Sequence, residues 1–122
     1  MLERVGPSHT LDSAPFLNLS RQPLAQVFRD RSSGESFLVV VNHLKSKGGC
    51  PDNDEANRNH GQGCWNPARV AAVEALLAWL EGLARNAGTA HILVLGDMNA
   101  YRMEDPVQRF RDGGYTAVSY TH

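Results

Sequence analysis

The chain has 122 residues, 42% hydrophobic and 20% charged, and its 12 Lys and Arg against 13 Asp and Glu give a net charge of -1. This is the composition of an ordinary globular protein, and it excludes a disordered tail, a collagen-like chain and a disulfide-dense miniprotein. The near-neutral charge excludes nucleic-acid binding by bulk electrostatics alone, so such binding requires a local basic patch. Apolar runs fall short of the roughly 20 residues that span a bilayer, and the first ten residues lack the apolar core of a signal peptide.

The first third of the chain contains two predicted strands. Residues 1–20 show no period and are broken by Pro, Ser, Asp and Asn, which predicts an irregular lead-in. Residues 23–29 alternate in part, residues 30–35 are polar, and residues 36–41 are an uninterrupted apolar run. This pattern predicts an antiparallel hairpin. Because its second strand is apolar on both faces, that strand is predicted in the sheet interior, covered on both sides.

The remainder is predicted as loop, helix, strand and short helix. Residues 42–66 are polar and rich in glycine, and a loop of this length is usually functional or disordered. A helix is predicted over residues 67–86, with Asn66 as N-cap, proline in the first turn and Gly88 after its end. Residues 91–95 form an apolar strand, and a short helix begins near Glu104 and ends at the next glycine pair. Residues 115–120 are compatible with a further strand.

Two predicted strands end in residues suited to phosphate chemistry. His43 follows the first apolar strand, and Asp97 and Asn99 follow the second. Ligand sites of covered sheets lie beyond strand ends, so these residues are expected to converge. A histidine donates a proton, an aspartate binds a cation or orients water, and an asparagine amide donates to a phosphoryl oxygen, while Lys45 adds positive charge. Each residue also has a structural interpretation, because Gly, Asp and Asn are common in turns.

The two cysteines allow two interpretations. Cys50 and Cys64 lie fourteen positions apart in the polar loop. A disulfide between them closes a loop of about fifteen residues and indicates an oxidising compartment. Alternatively they bind a metal with His60 and His43, although the spacing is not that of a zinc site. The disulfide is the favoured prediction.

Several motifs in this order resemble the endonuclease/exonuclease/phosphatase superfamily, and more closely the bacterial extracellular, DNase-I-like nucleases. They are RQPLAQVF at 21–28, VVNHLKSKG at 40–48, GQGCWN at 61–66 with Arg69, and ILVLGDMNAY at 92–101 with EDP at 104–106. The resemblance implies an α/β fold of the α+β sandwich type. It implies that residues 21–122 are the central, incomplete portion of a DNase-I-like domain.

The resemblance also implies a mechanism and a site. Water attacks phosphorus, with Mg²⁺ as cofactor and Mn²⁺ or Ca²⁺ as alternatives. His43 is expected to hydrogen-bond the phosphate or protonate the leaving oxygen, Asp97 to orient water or bind the metal, and Asn99 to hold a phosphoryl oxygen. Three further residues are candidates for supporting that site or contacting the substrate backbone: Asn42, Lys45 and Arg69. The expected substrate is DNA, with RNA as a second substrate, and the parent protein is expected to be extracellular or periplasmic without a membrane partner.

Some family features have no match here. The upstream asparagine and metal-binding glutamate and the terminal Asp-His pair are missing, so the chain alone is expected to be inactive or very weak. Its exposed apolar edges are expected to favour self-association. Two alternatives stay open: a phosphodiesterase of the same superfamily acting on lipid or inositol phosphates, and a non-catalytic remnant that binds nucleic acid or a partner.

Overall fold

The computed structural model describes residues 1–118, which form one four-stranded sheet and two α-helices. Two 3₁₀ turns, Ala14–Phe16 and Glu55–Asn57, lie in the connections. In chain order the main elements are β1 (Leu2–Thr10), β2 (Arg21–Asp30), β3 (Ser36–His43), α1 (Asn66–Ala87), β4 (Ile92–Asp97) and α2 (Asp105–Asp112). None of the helices in this part of the chain is long and apolar enough to cross a membrane.

The sheet has the strand order β1-β2-β3-β4. The first two pairings are antiparallel, and β3 pairs with β4 in parallel, with α1 in the crossover between them. Parallel neighbours need such a long connection, because a tight turn can join only antiparallel strands. The predicted hairpin of β2 and β3, the interior position of β3 and the mixed α+β class are therefore confirmed.

The prediction that residues 1–20 are irregular is wrong for Leu2–Thr10, which forms the edge strand β1. The pairing with β2 is interrupted between Val5 and His9, where Gly6 has a φ of 70°. The Gln26 side-chain amide donates to the carbonyls of Val5 and Gly6 at 3.3 and 3.2 Å, which satisfies backbone groups at this irregularity. Edge strands tolerate such breaks and prolines. β1 is held in place by its hydrogen bonds to β2, so its own sequence shows no clear strand alternation.

One face of the sheet carries the hydrophobic core. Alternate residues of β2 and β3 are buried against the inner face of α1, and Phe16 joins them from the first 3₁₀ turn. The principal core residues are Ala25, Val27, Leu38, Val40, Ala72, Val73, Leu76 and Leu80. Fully burying a valine or leucine side chain stabilises the fold by about 1.5–3 kcal/mol.

The opposite face is exposed, and we call it the open face. Four of its apolar residues are 43–50% exposed: Leu24, Val41, Leu93 and Leu95. The prediction that β3 is covered on both sides is therefore wrong for the described residues. The physical reason is that α1 packs against one face of the sheet and α2 packs against α1, so Val41 remains half exposed on the other face.

The helix boundaries differ slightly from those predicted. α1 begins at Asn66, and its N-cap is Trp65 in the left-handed conformation (φ 68°), so the prediction of Asn66 as N-cap is wrong. The Asn66 amide instead donates to Asp105 in the first turn of α2, at 2.9 Å. Gly88 ends α1 with a φ of 67°, as predicted. Residues 115–118 are not in a strand, and the rest of the strand considered over 115–120 lies outside the described residues.

Candidate active site at the ends of β3 and β4

His43 and Asp97 are neighbours at the ends of the two parallel strands. They are paired in register, and both side chains are about half exposed. His43 Nε2 lies 4.0 Å from Asp97 Oδ2, which is longer than a hydrogen bond but close enough for an ion pair when the imidazole is protonated. By the alternation of strand residues, His43 shares the open face with Val41, and Asp97 shares it with Leu95.

The turn after β4 orients the Asp97 carboxylate. The backbone N–H of Asn99 donates to Asp97 Oδ1 at 2.8 Å, which leaves Oδ2 as the oxygen nearer His43. Asn99 has a left-handed backbone (φ 47°), a conformation that asparagine adopts more readily than most residues. Its side-chain Nδ2 donates to the carbonyl of Leu44 at 2.8 Å. An amide carries two N–H hydrogens, so this bond leaves the second for another acceptor.

Arg21 joins this pair, and the sequence analysis missed it. Arg21 at the start of β2 is paired with His43 across the strands, and both line a shallow pocket of about 390 Å³ that also includes Asp97. The hairpin register, extended from Leu24 opposite Val41, would place Gln22 opposite His43. A bulge between Arg21 and Leu24 shifts the register by one. The sequence did contain one indication of Arg21, because a basic residue lies close to the position expected opposite His43 in the hairpin.

Two weaker candidates have side chains that are already occupied. Asn42 is 3% exposed, and its Nδ2 donates to the carbonyl of Leu95 at 3.3 Å. The Lys45 ammonium donates to the carbonyls of Ser46 and Gly48, both at 3.1 Å, and lies 5.3 Å from the Trp65 ring. These contacts support the site and the loop, and the role of Lys45 in substrate binding stays a prediction, because its side chain is partly exposed.

The third of the weaker candidate residues, Arg69, is fully buried (0% exposed) and cannot contact a substrate in this conformation. Its NH1 donates to the carbonyls of Cys64 (2.8 Å) and Lys45 (3.2 Å), and its NH2 donates to that of Gln62 (3.1 Å). Burial lowers the pKa of the Arg69 guanidinium, and the negative charge of Glu104 acts in the opposite direction. Of the two predicted roles, the geometry favours support of the site.

The long loop is held by a disulfide and by polar contacts to α2. Cys50 and Cys64 are bonded, with their Cα atoms 5.4 Å apart, which confirms the favoured prediction and excludes these cysteines as thiolate metal ligands in this form. Lys47 forms an ion pair with Glu104 at 2.7 Å. Gln62 donates to Asp105 at 2.9 Å. The loop is therefore ordered against α1 and α2.

The described residues do not form a complete metal site. Within residues 1–118 there is no group of three or more His, Cys, Asp or Glu side chains that could hold a metal ion. Mg²⁺ binds protein through carboxylates and retains several waters, so the exposed Asp97 carboxylate fits one ligand position and no more.

Comparison with known proteins identifies the fold. No protein-family model matches the sequence, and no curated protein matches it. Among solved structures, the chain is similar to the human Nocturnin catalytic domain with a bound sulfate anion, with 23% identity and a TM-score of 0.62. The match covers 89% of this chain and 34% of that chain, so this chain spans about a third of the length of the structure it matches. The chain therefore has a fold similar to part of a DNase-I-like domain.

Proposed function

We propose that this chain is part of a phosphodiesterase that hydrolyses nucleic acid, with DNA as the preferred substrate and RNA as a second one. The observation that carries the proposal is a row of three side chains in register across β2, β3 and β4: Arg21, His43 and Asp97. The row places a fixed cation, a proton donor and a carboxylate side by side at one edge of the sheet. All three line the same pocket.

Each member of the row has a role in phosphodiester hydrolysis. The Arg21 guanidinium binds two oxygens of the phosphodiester, because its planar fork matches the geometry of phosphate. Asp97, oriented by the Asn99 N–H, accepts a proton from the attacking water as its oxygen bonds to phosphorus. His43 donates a proton to the ester oxygen as the P–O bond breaks, so one proton is taken up and one released. Asn99 has a second amide hydrogen for a phosphoryl oxygen.

Dependence on a divalent cation, with Mg²⁺ first and Mn²⁺ or Ca²⁺ as alternatives, stays a prediction. Asp97 is the residue that would bind the cation. Residues 1–118 provide no further cluster of ligands beside it, so the remaining ligands would be water molecules or groups outside these residues. Such a cation supplies charge stabilisation to the phosphoryl group when it is bound.

The substrate class and the location of the protein rest on further features. The motifs around His43 and Trp65 resemble those of extracellular nucleases more than those of lipid or inositol phosphodiesterases. The Cys50–Cys64 disulfide supports an oxidising compartment, and hence an extracellular or periplasmic parent protein.

The row can be tested by binding, without requiring turnover. We expect a short DNA duplex to shift the NMR signals of the His43 ring, and Arg21→Gln to weaken binding about tenfold or more, because a charge-assisted hydrogen bond contributes about 1.5–3 kcal/mol. Arg4→Gln is the matched control, because Arg4 is an exposed arginine on β1, opposite Phe28. Equal effects of the two substitutions would show non-specific charge attraction and would contradict the proposal.

Cleavage assays distinguish the substrate classes. The chain and the full genomic open reading frame are assayed on plasmid DNA, RNA and sphingomyelin vesicles with and without Mg²⁺, alongside His43→Ala. The proposal expects DNA cleavage by the longer protein, its loss in His43→Ala, and very weak cleavage by the chain alone. Turnover of the lipid alone would overturn the nuclease assignment. Salt-dependent DNA binding without cleavage in any form would identify a non-catalytic binding module.

A further inference from the structure

A buried arginine lies behind the candidate active site, and no ion pair explains its burial. Arg69 is 0% exposed, and no carboxylate of residues 1–118 lies within 4.0 Å of its guanidinium. Its Nε also has no hydrogen-bond partner in this part of the chain. The negative charge of Glu104 acts on Arg69 only from beyond ion-pair distance, because the Glu104 carboxylate pairs with Lys47. A buried cation without a direct ion pair costs several kcal/mol, and a well-packed apolar residue is often more stable in such a place. The burial of Arg69 is therefore poorly explained by stability alone.

The backbone immediately after His43 is held at all four of its polar groups. Leu44 N–H donates to the Asp97 carbonyl at 3.0 Å, and the Leu44 carbonyl accepts from Asn99 Nδ2 at 2.8 Å. Lys45 N–H donates to Ser20 Oγ at 2.9 Å, and the Lys45 carbonyl accepts from Arg69 NH1 at 3.2 Å. We call this dipeptide, Leu44 and Lys45, the clamped dipeptide. Its partners come from three separate segments, around Ser20, Arg69 and Asp97–Asn99, and only Arg69 contacts it through a charged group.

The same guanidinium holds the far end of the disulfide loop. Arg69 also donates to the carbonyls of Gln62 and Cys64, which lie where the loop returns to α1. Cys64 is covalently bonded to Cys50 within that loop. Arg69 thus joins the start of the loop, at Lys45, to its end.

We propose that Arg69 is a positioning residue, and that together with the Cys50–Cys64 disulfide it fixes the clamped dipeptide and, through it, the geometry of the His43–Asp97 pair. The catalytic meaning of that pair rests on the proposed function. The positioning itself is independent of it, because it concerns only the backbone around His43. By reciprocity, loss of the disulfide weakens the hold of Arg69, and loss of Arg69 makes the disulfide easier to reduce.

The test compares Arg69→Met, Arg69→Lys and the oxidised and reduced wild-type chain. Dithiothreitol reduces the disulfide to two thiols and is itself oxidised to a cyclic disulfide. Arg85→Met is the matched control, because Arg85 lies on the outer face of α1 and is 72% exposed. The readouts are the NMR signals of the His43 ring, amide hydrogen exchange, and the midpoint of disulfide reduction.

We expect Arg69→Met to shift the His43 ring signals and to accelerate exchange of the Leu44 and Lys45 amides about tenfold or more. The reason is that a hydrogen bond from a charged donor contributes about 1.5 kcal/mol, which corresponds to about a tenfold change. Exchange at Val40, in the core, should stay unchanged, which separates positioning from general loss of stability. Reduction of the wild-type chain should produce the same local changes, Arg69→Lys should restore only part of the protection, and Arg69→Met should shift the reduction midpoint towards easier reduction.

The proposal is overturned if Arg69→Met folds with unchanged His43 signals and unchanged exchange at the clamped dipeptide. It is also overturned if exchange accelerates equally at Val40, because that is a global effect. Should Arg69→Met fail to fold, reduction of the wild-type chain decides: local changes at His43 support the proposal, and their absence contradicts it. Failure of the DNA assays would refute the proposed function and leave these readouts unaffected.

Discussion

Gly96, one residue before Asp97, allows a sharp test of how the two strand ends meet. It is paired with Asn42 in the parallel ladder and has a φ of 117°. A Cβ added there would collide with the Asn42 carbonyl oxygen and would lie 2.8 Å from the Asn42 nitrogen. These are backbone atoms of a paired strand, so they cannot move aside as a flexible side chain would.

The expected effect of Gly96→Ala has two parts. A side chain in a positive-φ conformation costs roughly 1–2 kcal/mol, and overpacking in a well-packed region costs roughly 1–3 kcal/mol. Together these predict a loss of about 2–5 kcal/mol in the free energy of unfolding, a large share of the roughly 5–15 kcal/mol typical of native proteins. Because the strain falls between Asn42 and Asp97, the His43–Asp97 geometry should change as well.

Urea unfolding followed by circular dichroism measures this loss, provided that the denaturant slope is unchanged. Gly82→Ala is the matched control: Gly82 lies within α1 with no atom within 4 Å of an added Cβ, so the substitution should stabilise the fold by about 0.5–1 kcal/mol. Equal midpoints for Gly96→Ala and wild type would refute the inferred close approach of the two backbones.

Three further predictions concern other parts of the chain. Replacing Cys50 and Cys64 together by Ser should lower the free energy of unfolding by about 3 kcal/mol, measured against the oxidised chain in urea, and an unchanged midpoint would argue against the bond. Side-chain and backbone hydrogen bonds from Ser32 lower the pKa of Asp30, so its stabilising contribution is present above the ordinary aspartate pKa and is lost as pH falls through the lowered value. A carbon-detected NMR titration should show this low pKa, and Ser32→Ala should raise it. Leu93→Glu on the open face should reduce concentration-dependent self-association in sedimentation velocity, and identical profiles would exclude this face as the contact.

Local patterns predicted most of the elements. The alternation and β-branched run of residues 23–41 predicted the hairpin, proline and glycine predicted the limits of α1 to within a residue, and the cysteine spacing favoured the disulfide that is present. β1 was missed because an edge strand gains its structure from its neighbour and tolerates Pro and Gly at a bulge. The apolar run of β3 was overinterpreted, since apolar residues on both faces do not say what covers each face.

The sequence by itself determined where the candidate side chains lie in the elements: a histidine and an aspartate at strand ends, an asparagine in a turn, and two cysteines in one loop. These features depend on neighbours in sequence, through turn propensity, strand alternation and residue type. Only the tertiary structure decided which residues meet. A one-residue bulge places Arg21 rather than Gln22 opposite His43, and the packing of α1 buries Arg69 behind the site. Register and burial arise from contacts between distant segments, and no local pattern encodes them.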